Sequence, residues 1–301
     1  MTKLKSEDKG VIIVLIHAAI FSLFPILVNR GTQSIPPLTF AALSTLTAAC
    51  ACFFYALSQN QLHQIKNKKT WFPLLMITLF IVVIPYSLLF IGSQKTSGIN
   101  TSILLLSEII FTLIFTHFFG EKTTGIKICG GLAIFLGALL ILFNGAFSLN
   151  LGDILIILST VTYPIGNFYA KKALNWLSSA GILFIRFLLG GLFISVLAIF
   201  FESPELNFTS KEWSFILFTG IILLGVGKMI WYEGFKRLDI SKAILINKVS
   251  PLFSLIILVF YFKEIISIYQ TLGIAIMMLG VYLSVKRKST DPRLTKYGAK
   301  V

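Results

Sequence analysis

The chain has 301 residues, of which 56% are hydrophobic and only 13% are charged, and its mean hydropathy is +0.88. Soluble domains usually carry about 25% charged residues, so this composition excludes an ordinary soluble protein and indicates an integral membrane protein. The net charge of +14 is spread over clusters of two or three cations between apolar runs. Nucleic-acid binders usually make about six to ten phosphate contacts, so these clusters argue against nucleic acid as a partner.

Ten apolar runs follow one another along the chain, and each approaches the roughly 20 residues that a membrane-spanning helix needs. The first run has no small-x-small cleavage site after it, so we expect it to remain in the membrane. The connections are short, and the segment after Lys286 is basic and polar. The runs cover residues 11–28, 37–57, 71–92, 97–118, 124–143, 152–170, 180–201, 213–234, 241–261 and 267–285.

The distribution of lysine and arginine predicts the orientation of these helices. Nineteen of them lie in the amino-terminal segment, in every second connection after it and in the tail. Only four lie in the alternate connections, namely Arg30, Lys95, Lys211 and Lys263. Because positive residues favour the cytoplasmic side, we expect both termini to be cytoplasmic in a multi-pass protein of the cell (inner) membrane.

The second half of the chain repeats the first at a fixed distance. Four pairs of residues share an offset of 143: Ser107 and Ser250, Glu121 and Glu264, Gly130 and Gly273, Gly137 and Gly280. The offset predicts one five-helix repeat over residues 1–147, a second over 148–288 and a basic cytoplasmic tail over 289–301. Five is odd, so the second repeat enters the membrane upside-down. We therefore predict an all-α membrane fold of ten helices, arranged as two inverted repeats around a central cavity.

Two local patterns carry a family resemblance. The fourth run ends in F-F-G-E and is followed by G-x6-G, while the ninth contains S-P-L-F-S and is followed by F-K-E and G-x6-G. In these patterns the chain resembles the EamA-type ten-helix carriers of the drug/metabolite transporter superfamily. The resemblance departs at one place, because Glu108 stands where the ninth run has Pro251.

The resemblance implies an alternating-access secondary transporter of small polar metabolites, such as amino acids or related anionic or zwitterionic compounds, with export favoured over import. Carriage of nucleotide-linked or lipid-linked substrates, or of drugs, is the alternative within transport. An integral membrane enzyme is a further alternative, which the short loops disfavour.

Charged residues inside the apolar runs are the first candidates for a site, since a charge in the membrane costs at least about 2.5–3.5 kcal/mol. Glu108 has apolar residues on both sides. It is either a protonated, hydrogen-bonded structural acid or a cavity acid that binds a substrate amine or carries a coupling proton. Lys248 corresponds to Leu105 in the repeat, one turn from Glu108, so the two side chains are expected to approach one another.

Three other charged residues leave two interpretations open. Lys228 lies close enough to the cytoplasmic edge to snorkel, as does Lys248, so each is either a site residue or an interfacial cation. Arg186 either binds a carboxylate or phosphate bidentately or holds helix-end carbonyls. Glu233 is expected to be a salt-bridge partner, with Lys248 as the suggested cation.

Uncharged residues complete the predicted substrate site. The full set is Glu108, Lys248, Lys228, Arg186, Asn247, Tyr86, Trp231 and Tyr232. His17 is expected to make a core hydrogen bond rather than to relay protons. The sequence contains no metal-ligand spacing, nucleotide loop or nucleophile–base motif, so we predict no cofactor, no metal and no catalytic residue. The expected partners are a small-molecule substrate, the lipid bilayer and, as an open alternative, a coupling proton, in a monomer or homodimer.

Overall fold

The computed structural model describes residues 6–62, 68–119, 124–142, 150–204, 206–250, 252–253, 256 and 267–286. Within these ranges the chain forms helices and connecting turns and contains no strand. The fifteen α-helices of this described part are α1 (Ser6–Phe21), α2 (Leu23–Gly31), α3 (Pro37–Ser58), α4 (Trp71–Ile77), α5 (Ile84–Gln94), α6 (Gly98–Leu104), α7 (Glu108–Phe118), α8 (Gly125–Leu142), α9 (Leu151–Val161), α10 (Tyr163–Ala173), α11 (Ser179–Glu202), α12 (Ser210–Leu217), α13 (Lys228–Phe235), α14 (Ile240–Asn247) and α15 (Ile268–Lys286).

Six helical stretches in the described ranges are long and apolar enough to cross a membrane: Ser6–Gly31, Pro37–Ser58, Trp71–Gln94, Leu151–Ala173, Ser179–Glu202 and Ser210–Phe235. Shorter apolar helices cover Asn100–Phe115, Gly125–Gly137 and Thr271–Leu283. The all-helical membrane fold is therefore confirmed. The ten-helix count and the inverted arrangement stay predictions. Part of the ninth run, including Pro251, lies outside the described residues, as do Glu121 and Glu264.

Two spans contain a stretch of π-helix, which is rare and is found frequently at functional sites. The first covers Thr78–Val83 and joins α4 to α5, and the second covers Phe218–Gly227 and joins α12 to α13. They fall in the third and the eighth apolar runs, which are equivalent positions of the predicted repeats.

The fourth and ninth runs are each interrupted at equivalent positions. In the fourth run, a 3₁₀ turn at Leu105–Ser107 separates α6 from α7. In the ninth, α14 ends at Asn247, and the amide of Val249 bonds to Ile246 three residues back rather than four. These breaks lie 143 residues apart, the offset of the sequence repeat.

Two compact units make up the fold, and each draws on both predicted repeats. The first unit consists of Met1–Ser22, Ser102–Ser148 and Ile230–Val301. The second consists of Leu23–Thr101 and Leu149–Met229. The repeat boundaries at 147 and 288 stay predictions, since a compact unit and a sequence repeat are different divisions of the chain.

In the first unit, α8 and α15 cross at the glycines of the repeat. A Cβ added to Gly137 would lie 2.5 Å from the carbonyl oxygen of Gly273. A Cβ added to Gly280 would lie 2.6 Å from the carbonyl oxygen of Gly130. The two contacts are equivalent under the repeat offset, because Gly137 corresponds to Gly280 and Gly273 corresponds to Gly130. Small residues allow membrane helices to approach this closely.

In the second unit, an acid from one helix caps the start of another. The carboxylate of Glu202, at the end of α11, accepts hydrogen bonds from the backbone amides of Leu38 at 2.7 Å and Thr39 at 2.8 Å. The Thr39 hydroxyl donates to the same carboxylate at 2.7 Å. Amides at a helix start have no partner within the helix, so this carboxylate fixes α3 against α11.

The crossing of α8 and α15 gives a first prediction. The variant Gly137→Ala should lose about 1–3 kcal/mol of stability, because its new methyl group meets backbone rather than a movable side chain. The matched control Gly125→Ala, on the same helix, adds a methyl group with no atom within 4 Å. Thermal unfolding in detergent should show a lower Tm for Gly137→Ala alone. Equal Tm values for both variants would contradict the close crossing.

Candidate functional site

A buried ion pair connects the two interrupted helices of the first unit. Lys248 Nζ lies 2.5 Å from Glu108 Oε2, and the two side chains are only 9% and 12% exposed. The same ammonium group donates a hydrogen bond to the carbonyl oxygen of Leu105 at 2.9 Å. Leu105 is the repeat counterpart of Lys248. The sequence prediction that Glu108 and Lys248 approach one another is therefore correct as geometry, while their role in binding stays a prediction.

The helix breaks explain why Lys248 has two acceptors. A 3₁₀ turn replaces the regular α-helical bonds at Leu105–Ser107, so carbonyl groups there become available to other donors. Lys248 follows the last residue of α14, where the chain leaves the helical path. Both partners of the ion pair thus stand at interruptions, which is where discontinuous membrane helices place ion and substrate sites.

A second polar contact lies next to this pair in the chain. Asn247 Oδ1 lies 2.7 Å from Nδ1 of His17, whose side chain is fully buried in α1. The His17 ring stacks on Phe21 and lies 5.3 Å from the ring of Trp231. The expected core hydrogen bond of His17 is confirmed. It holds α1 to α14 one residue before Lys248.

Trp231 and Tyr232 are buried aromatic residues of α13 in the same unit. The Trp231 ring stacks on Phe235 at 5.2 Å, and the Tyr232 ring lies 6.1 Å from Phe235. Trp231 therefore joins the His17–Asn247 contact. Tyr232 contributes to packing around Phe235.

The remaining candidates belong to the second unit. Arg186 is almost completely buried in α11, with its guanidinium carbon 4.5 Å from the centre of the Phe187 ring. Tyr86 packs in an aromatic group with Phe24 and Phe90. Lys228 begins α13 and is half-buried.

The expected salt bridge between Glu233 and Lys248 is wrong. Glu233 forms an ion pair with Lys236 at 2.6 Å, and both side chains are more than 40% exposed. A residue three positions away on one helix turn is the nearer cation for Glu233. The buried carboxylate of Glu108 takes Lys248 instead.

Two further ion pairs of the first unit were missed by sequence reasoning. Lys127 Nζ lies 3.2 Å from Asp239 Oδ2, and Lys242 Nζ lies 2.7 Å from Glu7 Oε1. Both lysines are nearly inaccessible. The distribution of lysine and arginine places both lysines at the cytoplasmic connections, although an acid at the edge of another apolar run is a signal for such pairing.

The chemistry of these groups is electrostatic. No group of three or more His, Cys, Asp or Glu side chains that could hold a metal ion occurs in the described residues. A buried carboxylate beside a buried ammonium can exchange partners with a charged solute. This arrangement suits binding and release.

The comparisons with known proteins identify the family of the chain. The sequence pattern of the EamA-like transporter family matches the chain twice, over residues 8–143 and 150–286. The chain belongs to the EamA-like transporter family. This confirms the resemblance to the drug/metabolite transporter superfamily, and the family consists of transporters rather than enzymes.

Relatives of similar length extend across most of this EamA-like chain. The uncharacterized transporter YvbV of Bacillus subtilis is 22% identical over 87% of this chain and 87% of its own. An uncharacterized transporter of Archaeoglobus fulgidus is also 22% identical, over 87% of this chain and 92% of its own. A solved crystal structure with 17% identity superposes with a TM-score of 0.77, covering 92% of this chain and 96% of the other. That likeness supports the fold.

The EamA-like protein is therefore a membrane transporter for a small molecule.

The Glu108–Lys248 ion pair gives a prediction about stability. Glu108→Gln or Lys248→Gln should each cost about 3–5 kcal/mol, because each leaves one buried charge without its partner. The double variant Glu108→Gln/Lys248→Gln should regain part of this loss. Thermal unfolding in detergent measures the difference.

The exposed pair provides the control for this comparison. Glu233→Gln should change stability by less than about 1 kcal/mol, since water screens that pair. Single variants of the buried pair that unfold at the wild-type temperature would show that Glu108 and Lys248 do not stabilise one another.

Proposed function

We propose that this protein is a ten-helix secondary transporter with two inverted five-helix repeats, which moves small zwitterionic metabolites by alternating access. Amino acids are the simplest solutes of this kind. Export is the proposed direction, by analogy with the family. The observation that carries the proposal is the buried Glu108–Lys248 pair at the matched breaks of two helices.

The energetics of this pair favour a solute that carries both charges. Separating the pair without replacement leaves two buried charges, each costing several kcal/mol. A zwitterion offers an ammonium group to Glu108 and a carboxylate to Lys248, so it replaces one internal ion pair with two external ones. The net charge of the site does not change, and neither protein group becomes unpaired.

Solutes with one charge do not achieve this exchange. A cation satisfies Glu108 and leaves Lys248 with Leu105 as its only partner among the contacts described above. An anion satisfies Lys248 and takes the lysine ammonium group away from Glu108. The pair thus favours zwitterions over nucleotide-linked substrates, which are multiply anionic.

Three features support the inverted duplication. The family pattern matches the two halves of the chain separately. The helix breaks and the π-helical stretches recur at equivalent positions. The contacts of Gly137 with Gly273 and of Gly280 with Gly130 exchange under the repeat offset, as a pseudo-twofold axis requires. Inverted repeats allow the same arrangement of helices to open the site to either side of the membrane.

Transport by purified protein in liposomes tests the proposal. Counterflow should accumulate labelled zwitterionic amino acids, and should accumulate cationic amines and anionic nucleotides at least about tenfold less, because those solutes displace the Glu108–Lys248 contact without replacing both of its charges. Glu108→Gln and Lys248→Gln should each abolish accumulation, whereas Glu233→Gln should retain it. Repeating the assay with and without a pH gradient tests the alternative of proton coupling through Glu108.

The negative outcomes of the transport assay are equally specific. Equal accumulation by wild-type protein and Lys248→Gln, at matched reconstitution, would contradict the binding role of the pair. Turnover of a lipid substrate without movement of any solute would contradict transport itself.

The proposed orientation has a separate test. A fluorescent reporter that is active only in the cytoplasm should fluoresce when it is fused after Val301, because nineteen cations favour the cytoplasmic side. An impermeant thiol reagent should label a cysteine introduced at exposed Lys211 from outside intact cells. Labelling of that cysteine only after lysis would contradict the inverted topology.

A further inference from the structure

One polar contact in the first unit joins the starts of α1 and α14. Lys242 Nζ lies 2.7 Å from Glu7 Oε1, and the lysine side chain is 3% exposed. Glu7 stands in the first turn of α1, and Lys242 is the third residue of α14. Under the proposed topology, this contact lies at the cytoplasmic face.

The second unit contains a similar contact between the starts of α9 and α6. Asp153 Oδ1 accepts a hydrogen bond from the Thr96 hydroxyl at 2.5 Å and from the Asn100 amide at 3.4 Å. Its other oxygen accepts the backbone amide of Asn150 at 3.0 Å, which caps α9. Asp153 is almost completely buried. Under the proposed topology, this contact lies at the outer face.

The two contacts are equivalent by position in the repeat. Asn100 is the third residue of α6, as Lys242 is of α14, and the two are 142 residues apart. Asp153 stands in the first turn of α9, the first helix of the second repeat, as Glu7 does in the first helix of the first repeat. In each case the opening helix of one repeat binds the fourth helix of the other.

We propose that these contacts are two latches, one for each membrane face, that set the balance between the inward-open and outward-open states. The inner latch is Glu7–Lys242, and the outer latch is Asp153 with Thr96 and Asn100. The inference rests on the proposed alternating access and adds the residues that control it.

The physical basis is the cost of exposing or burying charge. While a face is closed, the buried charge of its latch, which is Lys242 at the inner face and Asp153 at the outer face, is away from water and needs its partners. When the face opens, water replaces those donors and the contact is released. Removing one latch therefore lowers the cost of opening its own face. Because the two open states exclude one another, the opposite face then spends less time open.

Two buried serines provide reporters of opening. Ser241 lies beside Lys242, and Ser102 lies two residues after Asn100; both are less than 10% exposed. In Ser241→Cys and Ser102→Cys proteins, an impermeant maleimide applied from the cytoplasmic or the outer side measures access to each face. The parent protein, with Cys50, Cys52 and Cys129, gives the background.

The latches predict opposite effects in this assay. Glu7→Gln and Lys242→Gln should both raise cytoplasmic labelling of Ser241→Cys by roughly three- to tenfold and lower outer labelling of Ser102→Cys. Asp153→Asn should produce the reverse pattern. Glu233→Gln, which breaks an exposed pair, should change neither. Only variants that keep the wild-type gel-filtration profile are compared, and Lys242→Gln replaces Glu7→Gln if the latter fails to fold.

Two results would overturn the latches. One is a change of maleimide labelling in the same direction at both faces with every variant, which indicates a general effect on the fold. The other is unchanged labelling in well-folded Lys242→Gln and Asp153→Asn proteins. The labelling assay and the transport assay test different claims. If wild-type protein accumulates no solute, the proposed function is contradicted. If the protein transports but its latch variants show unaltered labelling, only the proposed role of the latches is contradicted.

Discussion

The cost of a charge away from water is the constraint on which this structure depends. Each of the buried lysines Lys127, Lys242 and Lys248 meets a carboxylate within 3.2 Å. Lys248 also takes the Leu105 carbonyl that the interrupted helix makes available. The ion pair and the helix break therefore belong together, because an uninterrupted helix would use that carbonyl for its own bonds.

The same constraint turns structure into function. A dry ion pair is released without great cost only when something else supplies both charges or when water enters. In the proposed mechanism, a zwitterionic solute supplies both charges at Glu108–Lys248, and water enters at the proposed latches when a membrane face opens. The chain segments 98–108 and 240–248 carry both kinds of contact, about two helical turns apart. In the proposed mechanism, a short chain segment thus connects the substrate site to the contact at each face.

Sequence alone predicted the features that depend on periodicity and composition. Apolar length predicted the helices, and the offset of 143 predicted that Lys248 approaches Glu108. The offset also marked the glycines at the crossing of α8 and α15. These features can be predicted because a repeat and an apolar run are visible in the sequence itself.

Other features depend on which side chains meet in space. The expected pairing of Glu233 with Lys248 is wrong, because Lys236, three residues away on the same helix, reaches Glu233 and the buried Glu108 takes Lys248. Lys127 and Lys242 were treated as loop cations, since a charge count cannot reveal that Asp239 and Glu7 approach them. The π-helical stretches likewise leave no composition signal, because their residues are as apolar as those of a regular span.

The most direct test of the central claim is transport by charge-exchanged variants of the Glu108–Lys248 pair. Solute accumulation in liposomes would be compared for Glu108→Lys, Lys248→Glu and the double exchange, each at matched reconstitution. The account predicts that both single variants are inactive, since each places two like charges together, and that the double exchange recovers measurable accumulation. Single variants that accumulate the solute at the wild-type rate would contradict it.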